Sequence, residues 1–412
     1  MTVLGTDGDT TPRIENVDIP GVLPRTGLAV LLGGLDLPGR IEMPDGSVVR
    51  TGVGEPTYRV SFRSERALRT PMTESAVARA YVSGDIDIDG DLRALFDARK
   101  MLRNSVPFRQ KLRFLYDFLR PAGKMNASAI EKHYSKGDDF YLTFIDKRFR
   151  FYSQGLFQSP DETIEEASEH KLETMFAALD LKPGDRLLDI GGGWGGVTQY
   201  CGARGVHVTT LTLAEDSARF IGNLIADNDL PGEVTLQDFL NHQPEKPYDH
   251  VVIYGVIEHI PNYRAFAENA WRVLKPGGRL YLDASASIQK FAMSAVARDY
   301  IWTGTHTFMS LPDVTGELLN HGFEVVEVSR ETRDYGLTML EWASRLEAAK
   351  DDVIAQWGEE TYRIFRLYLW GGAHAFFTNS LQAYHVVAER TDGPGPRPSV
   401  ARRLIQSLAA LR

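Results

Sequence analysis

Leu187-Leu188-Asp189-Ile190-Gly191-Gly192-Gly193-Trp194-Gly195-Gly196 sets an apolar run, an acid and five glycines within six positions side by side. The apolar run reads as a buried strand, and the glycines as a tight turn opening into a helix. Glycine is needed where backbone takes positive φ or lies flush against a ligand. A helix N-terminus turns free N–H groups toward an anionic part of that ligand. The stretch therefore predicts a nucleotide-type cofactor loop at the carboxyl end of a parallel strand.

Outward from this loop, short apolar runs alternate with helical patterns. Strands are expected at 186–190, 206–211, 234–237, 250–254, 279–283, 323–328 and 384–389, with Pro276-Gly277-Gly278 as the turn feeding the fifth. Such alternation predicts an α/β doubly wound, Rossmann-like seven-stranded sheet covered on both faces. A helical insertion spans about 337–377 and carries Trp342, Trp357, Phe365, Tyr368, Trp370, Phe376 and Phe377. Insertions at the ligand edge of such a sheet often form a lid or channel, although most of these aromatics belong to core packing.

Residues 1–98 read as a small α+β accessory domain. Its strands are expected at 40–43 and 58–62 and its helix at 75–82, with 1–16 polar and frayed. Asp85, Asp87, Asp89 and Gly90 match the first half of a calcium loop. The twelfth position is Phe96 in place of the bidentate glutamate, so an acidic surface turn is the better reading. Residues 99–124 form a linker whose basic residues, Arg99 to Arg120, interleave with apolar and aromatic ones. Such a helix suits either an anionic lipid surface or a solvated interdomain face. Residues 391–399 are a Gly/Pro linker, and 400–412 form a C-terminal tail.

At 412 residues, with 43% hydrophobic and 25% charged side chains, the composition is that of a soluble globular protein of two or three domains. A net charge of −9 argues against general nucleic-acid binding. The apolar stretch 27–37 is short, broken by glycine and not preceded by a basic region, so no signal peptide is read. With Cys201 as the sole cysteine, a cytoplasmic location is expected, and no metal cluster is apparent.

Two cofactors suit the loop. Gly191, Gly193 and Gly196 satisfy the dinucleotide spacing G-x-G-x-x-G, and Glu215 lies where a ribose acid could sit. Asp189, just before the first glycine, instead suits S-adenosylmethionine (AdoMet), which carries an ammonium and no pyrophosphate.

A longer series decides between them. It comprises His133-Tyr134, Gly137-Asp138-Asp139-Phe140-Tyr141, Tyr152-Ser153, the glycine loop, Leu211-Thr212-Leu213, Ile257-Glu258-His259 and Leu274-Lys275-Pro276-Gly277-Gly278. Asp334-Tyr335, Trp342, Tyr362-Arg363, Tyr368-Leu369, Ala375-Phe376 and Tyr384-His385-Val386-Val387 complete it. Over residues 125–390 the chain resembles the cyclopropane fatty acid synthase family, in its long bacterial form. That resemblance implies a class I AdoMet methyltransferase fold. It also implies methyl transfer to the cis double bond of an acyl chain in a membrane phospholipid, at the inner membrane face, through a carbocation.

The resemblance also implies site residues. Tyr152, Ser153, Asp189, Gly191, Gly193 and Gly195 would surround the methionine end of AdoMet. Thr212, Leu213 and Ser217 would lie by the ribose, Gln237 and Asp238 by the adenine, and Ile257 and His259 beside them. Glu258 and Tyr335 would form the catalytic pocket. There the family's cysteine, histidine and isoleucine, which serve a bound bicarbonate, fall at Gln154, Asp283 and Ser285. Two nearby carboxylates, Glu258 and Asp283, would repel bicarbonate and raise the pKa of at least one of them. The expectation is that Asp283 or Glu258 serves in place of bicarbonate, giving a methylene- or methyl-branched chain, with a cyclopropane as the alternative product. A methyl branch needs a partner reductase, and a homo-oligomer is compatible with the sequence. A small-molecule methyltransferase and a non-catalytic lipid-binding relative are the competing classes.

Overall fold

The computed structural model describes residues 37–71, 73–96, 137–159, 161–288, 293–302, 306–393 and 395. The basic stretch 99–120, His133-Tyr134, the N-terminal residues before Leu37 and the tail 400–412 lie outside the described residues. The chain divides into two compact units, Met1–Val106 and Pro107–Arg412.

The first unit carries a four-stranded mixed sheet. Its strands are β1 (Gly39–Glu42), β2 (Val48–Thr51), β3 (Tyr58–Phe62) and β4 (Ile86–Gly90), in the order β2-β1-β3-β4. Helix α1 (Glu74–Val82) starts at Thr73, whose side chain accepts from Ala76 N–H. Ile41, Tyr58, Val60, Phe62, Leu68 and Ile86 form its core. Asp87 and Asp89 pair with Arg63 and Arg59 across the exposed sheet face, so the acidic turn is spent on surface ion pairs.

In the second unit a single helical turn, Asp138–Tyr141, precedes α2 (Ile164–Ala178), which opens on a capping box between Thr163 and Glu166. It continues through β5 (Arg186–Ile190), α3 (Gly196–Gly202), β6 (His207–Thr212), α4 (Glu215–Asp227), β7 (Gly232–Leu236) and β8 (Tyr248–Tyr254). There follow α5 (Tyr263–Val273), β9 (Leu274–Ala286), α6 (Leu311–Asn320) and β10 (Phe323–Arg330). Last come α7 (Thr332–Ala348), α8 (Lys350–Trp357), α9 (Glu359–Phe377) and β11 (Gln382–Arg390).

The seven strands run in the order β10-β11-β9-β8-β5-β6-β7. Strands β5 to β9 pair in parallel, and β11 runs antiparallel to both β9 and β10. Leu188, Ile190, Val251, Ile253, Leu280 and Leu282 pack on one face, under α5 and α6. Leu187, Val208, Val252, Tyr281 and Val387 pack on the other, under α2 and α3. Central strands buried on both faces are why these runs are apolar throughout rather than alternating. Pro276-Gly277-Gly278 sits as a bulge inside β9, where the register with β8 jumps between Tyr248 and His250.

The insertion separating β10 from β11 folds as α7, α8 and α9 around a third core, with Trp342, Phe365, Leu369 and Phe376 buried. Phe140, Tyr141, Phe144 and Trp194 join it, so the glycine-loop tryptophan ties the insertion to the sheet. Among the described residues no helix is long and apolar enough to cross a membrane.

Candidate active site

Strand β5 delivers the glycine loop. Gly191, Gly193 and Gly195 take φ of 81°, 52° and 76°, values that side chains disfavour. A Cβ on Gly191 would overlap Val256, and one on Gly192 would overlap the Thr210 methyl. Gly195 starts α3 with no side-chain cap, leaving backbone donors open. Beside them Asp189 is buried, and its Oδ2 has no hydrogen-bond partner. Burial pushes its carboxyl up to about 7, against the lowering bond from Thr210. A bare buried carboxylate beside a side-chain-free bend fits a ligand that carries an ammonium group.

The surrounding pocket measures about 490 Å³, counting its open mouth. It is lined by Arg150, Tyr152, Ser153, Asp189, Gly191 and Gly193, among others. Further along the strand ends, Thr212 and Gln237 are joined by Gln237 N–H donating to Thr212 O at 2.9 Å. Ser217 Oγ donates to Gly193 O at 2.6 Å. Asp238 Oδ1 accepts from Leu240 N–H at 2.9 Å. Leu213, half-buried, follows Thr212 where β6 ends.

The loop after β8 carries Ile257, Glu258 and His259 on one helical turn. Ile257 is fully buried in the sheet core, so only its backbone can face a ligand. Glu258 Oε1 accepts from Ser285 N–H at 2.9 Å and Ser285 Oγ–H at 2.8 Å, while Oε2 has no hydrogen-bond partner. Burial pushes Glu258 up to about 7 and Asp283 adds to the rise, while Ser285 opposes it. His259 packs edge-on to His306 and against Trp302, and burial pulls its imidazole down to about 4.

Asp283 is not a free base. Its Oδ2 lies 2.7 Å from Lys171 Nζ, and its Oδ1 accepts from Gly255 N–H at 2.9 Å. Burial pushes its carboxyl up and Lys171 pulls it back. Gln154 is engaged as well. Its side-chain N–H donates to Glu331 at 2.5 Å, and Glu331 in turn meets His385 Nδ1. Tyr335, on α7, stacks on Phe376 at 4.4 Å. Tyr152 stacks on Trp342 at 5.2 Å, and its neighbour Tyr368 is pushed up to about 12 by burial, against hydrogen bonds to Trp302 and Tyr152. The negative charge of Glu258 adds to that rise.

Residues 122–386 match the family model described as mycolic acid cyclopropane synthetase. The chain belongs to this family. A probable fatty acid methyltransferase of Mycobacterium tuberculosis is 28% identical over 94% of this chain and 97% of its own length. The hydroxymycolate synthase MmaA4 of the same organism is 31% identical over 61% of this chain and 88% of its own. The crystal structure of the mycolic acid cyclopropane synthase CmaA1 complexed with SAH and CTAB superposes with a TM-score of 0.60. It is 27% identical and covers 66% of this chain and all of that one. Membership of the mycolic acid cyclopropane synthetase family makes the chain an AdoMet-dependent methyltransferase that modifies an unsaturated fatty acyl chain, and it removes the dinucleotide alternative.

Against that family frame, sequence reading passed over Lys171, Glu331 and Tyr368 as site residues. Lys171 had a legible signal: it falls in register with Ile164, Ala167 and Met175 on the buried stripe of α2, where a lysine needs a partner. Tyr368 stood in the family series, as Tyr368-Leu369, but with no role attached, and Glu331 had no signal, because nothing local distinguishes it from other acids.

Proposed function

We propose that the chain transfers the AdoMet methyl to the cis double bond of an acyl chain in a membrane phospholipid, with a cyclopropane as product. The carrying observation is Glu258, a buried carboxylate with one bare oxygen, on the turn that follows β8, the strand paired with β5 beside the glycine loop. When bound, AdoMet supplies an electrophilic sulfonium methyl. Tyr152, Ser153, Asp189, Gly191, Gly193 and Gly195 would hold its methionine end. Thr212, Leu213, Ser217, Gln237, Asp238 and the backbone around Ile257 would hold the nucleoside.

Methyl addition to one alkene carbon leaves its neighbour cationic. The faces of Tyr152, Trp302 and Tyr368 and the charge of Glu258 stabilise that cation. The aromatic insertion keeps out the water that would otherwise trap it. Glu258 Oε2 then takes a proton from the new methyl as the last ring bond closes. A carboxyl raised to about 7 is matched to that transfer near neutral pH. Asp283 and Gln154, engaged by Lys171 and Glu331, are not assigned to a bicarbonate site.

The family description and the CmaA1 neighbour favour ring closure over the branched product expected from the pocket substitutions. One observation favours a branch as a second reading: the relative matching nearly the whole chain is named a fatty acid methyltransferase. A branch would follow from a hydride shift before proton loss to Glu258, giving a methylene group, and a partner reductase would convert it to a methyl. Labelled AdoMet with oleoyl phospholipid vesicles tests the proposal. Ring and methylene products share a mass, but ozonolysis cleaves only the methylene. Absence of label in lipid would refute both readings.

A further inference from the structure

We infer that Lys171 is a positioning residue that straps the cofactor-binding segment 152–155 to the body of the enzyme. The inference rests on the proposed use of the pocket by AdoMet. Lys171 sits on α2, 1% exposed, one layer behind the pocket wall. Its Nζ donates to Ser153 Oγ at 2.6 Å and to Gln154 O at 3.0 Å. It lies 4.1 Å from the centre of the Tyr254 ring and 5.0 Å from that of Phe151. Phe151, Ser153 and Tyr254 all line the pocket, so one ammonium gathers three of its walls.

The far side of the same segment is tied to the insertion. Gln154 donates to Glu331, which immediately precedes α7, and Gly155 N–H donates to the Thr338 hydroxyl within α7 at 2.9 Å. Tyr152 is thereby held against Trp342. The segment spans from α2 to α7, and Lys171 is its anchor on the sheet side. A lysine has three donors, and here two are taken by the strap, while Asp283 Oδ2, 2.7 Å from Nζ, supplies the counter-charge. Asp283 makes the burial of this cation tolerable, since a buried unpaired charge is strongly unfavourable. The pair thus has two separable jobs: Asp283 neutralises, and Lys171 holds.

The experiment compares Lys171→Met with Lys171→Met/Asp283→Leu, measuring AdoMet binding by calorimetry, thermal stability, and KM and kcat with vesicle substrate. The single variant leaves Asp283 buried without its cation and unfolds at lower temperature. The double variant removes both charges and recovers stability. Both are expected to bind AdoMet between about 10-fold and about 100-fold more weakly, as for a lost buried hydrogen-bond anchor. In the double variant the KM for AdoMet should rise by a similar factor, with kcat at saturation reduced far less. Wild-type affinity in the double variant would overturn the inference. So would affinity that merely tracks the melting temperature across both variants. Failure of the wild-type enzyme to bind AdoMet would instead sink the proposed function, which separates the two.

Discussion

Lys171 Nζ and Asp283 Oδ2 meet at 2.7 Å with both side chains about 1% exposed, joining α2 to the carboxyl half of β9. An ion pair this deep adds little net stability over a well-packed apolar pair, but losing one partner is costly. Asp283→Asn should therefore lower the unfolding free energy by about 3–5 kcal/mol, read as a shift of the urea midpoint at unchanged slope. A loss under about 1 kcal/mol would mean that water reaches the pair.

Glu258 gives a pH signature with two readouts. Its carboxyl is raised to about 7, so the folded state holds a proton that the unfolded chain releases near 4.5. That contribution to stability is complete below about 4.5 and is lost as the pH rises through about 7, a change of about 3 kcal/mol. Glu258→Gln should flatten this part of the stability profile. Turnover should do the opposite in the wild type and rise through about pH 7 as the base deprotonates. The variant should lose at least about 100-fold in turnover with no such rise. A bell centred elsewhere, or full activity in the variant, would remove Glu258 as the base.

Asp189 is likewise raised by burial to about 7. Its anionic form is the one that attracts an ammonium, so AdoMet affinity should increase as the pH climbs through about 7. Asp189→Asn should bind at least about 10-fold more weakly and without pH dependence over that range. Calorimetric titrations at pH 6 and pH 8, conditions of about one unit either side, decide it.

Gly191→Ala tests the bend itself. The position combines φ of 81° with a Cβ that would overlap Val256. Strain of about 1–2 kcal/mol is expected from the backbone alone, and the steric clash adds to it. AdoMet binding should be lost while the far-UV spectrum is kept. Alanine tolerated with wild-type affinity would mean the loop does not hold the cofactor.

His385 supplies an independent pH test away from the pocket. The Glu331 carboxylate at 2.5 Å raises its imidazole pKa, against the lowering effect of burial. Its contribution to stability is therefore complete below the unfolded value of about 6.5 and lost as the pH rises through the raised folded value. His385→Gln should be destabilised at pH 6 and converge on the wild type at alkaline pH, about 9. A constant difference at both conditions would assign the loss to packing against Tyr281, on which the ring stacks.

Much of this architecture was legible along the chain. The glycines of 191–196 announce their bend because φ is a local property, and the apolar runs of β5, β8 and β9 announce two-sided burial because hydration is local too. Asp189 and Glu258 were legible as acids at strand ends. Other features were not. A periodic pattern carries no strand direction, so the reversal of β11 against β9 was hidden. Asp283, read as a candidate base, turned out to be half of an ion pair, since a side chain's type does not name its partner.

The amino-acid order alone determined where the backbone must bend, which segments leave water and which acids stand beside the bend, because those depend on neighbours a few bonds away. Only the tertiary structure decided that Lys171 reaches Asp283, Ser153 and Gln154, and that Glu331 meets both Gln154 and His385. A buried charge takes whichever opposite charge or dipole the packed layers bring within about 3 Å of it, and that choice is made by the assembled layers rather than by the order of residues along the chain.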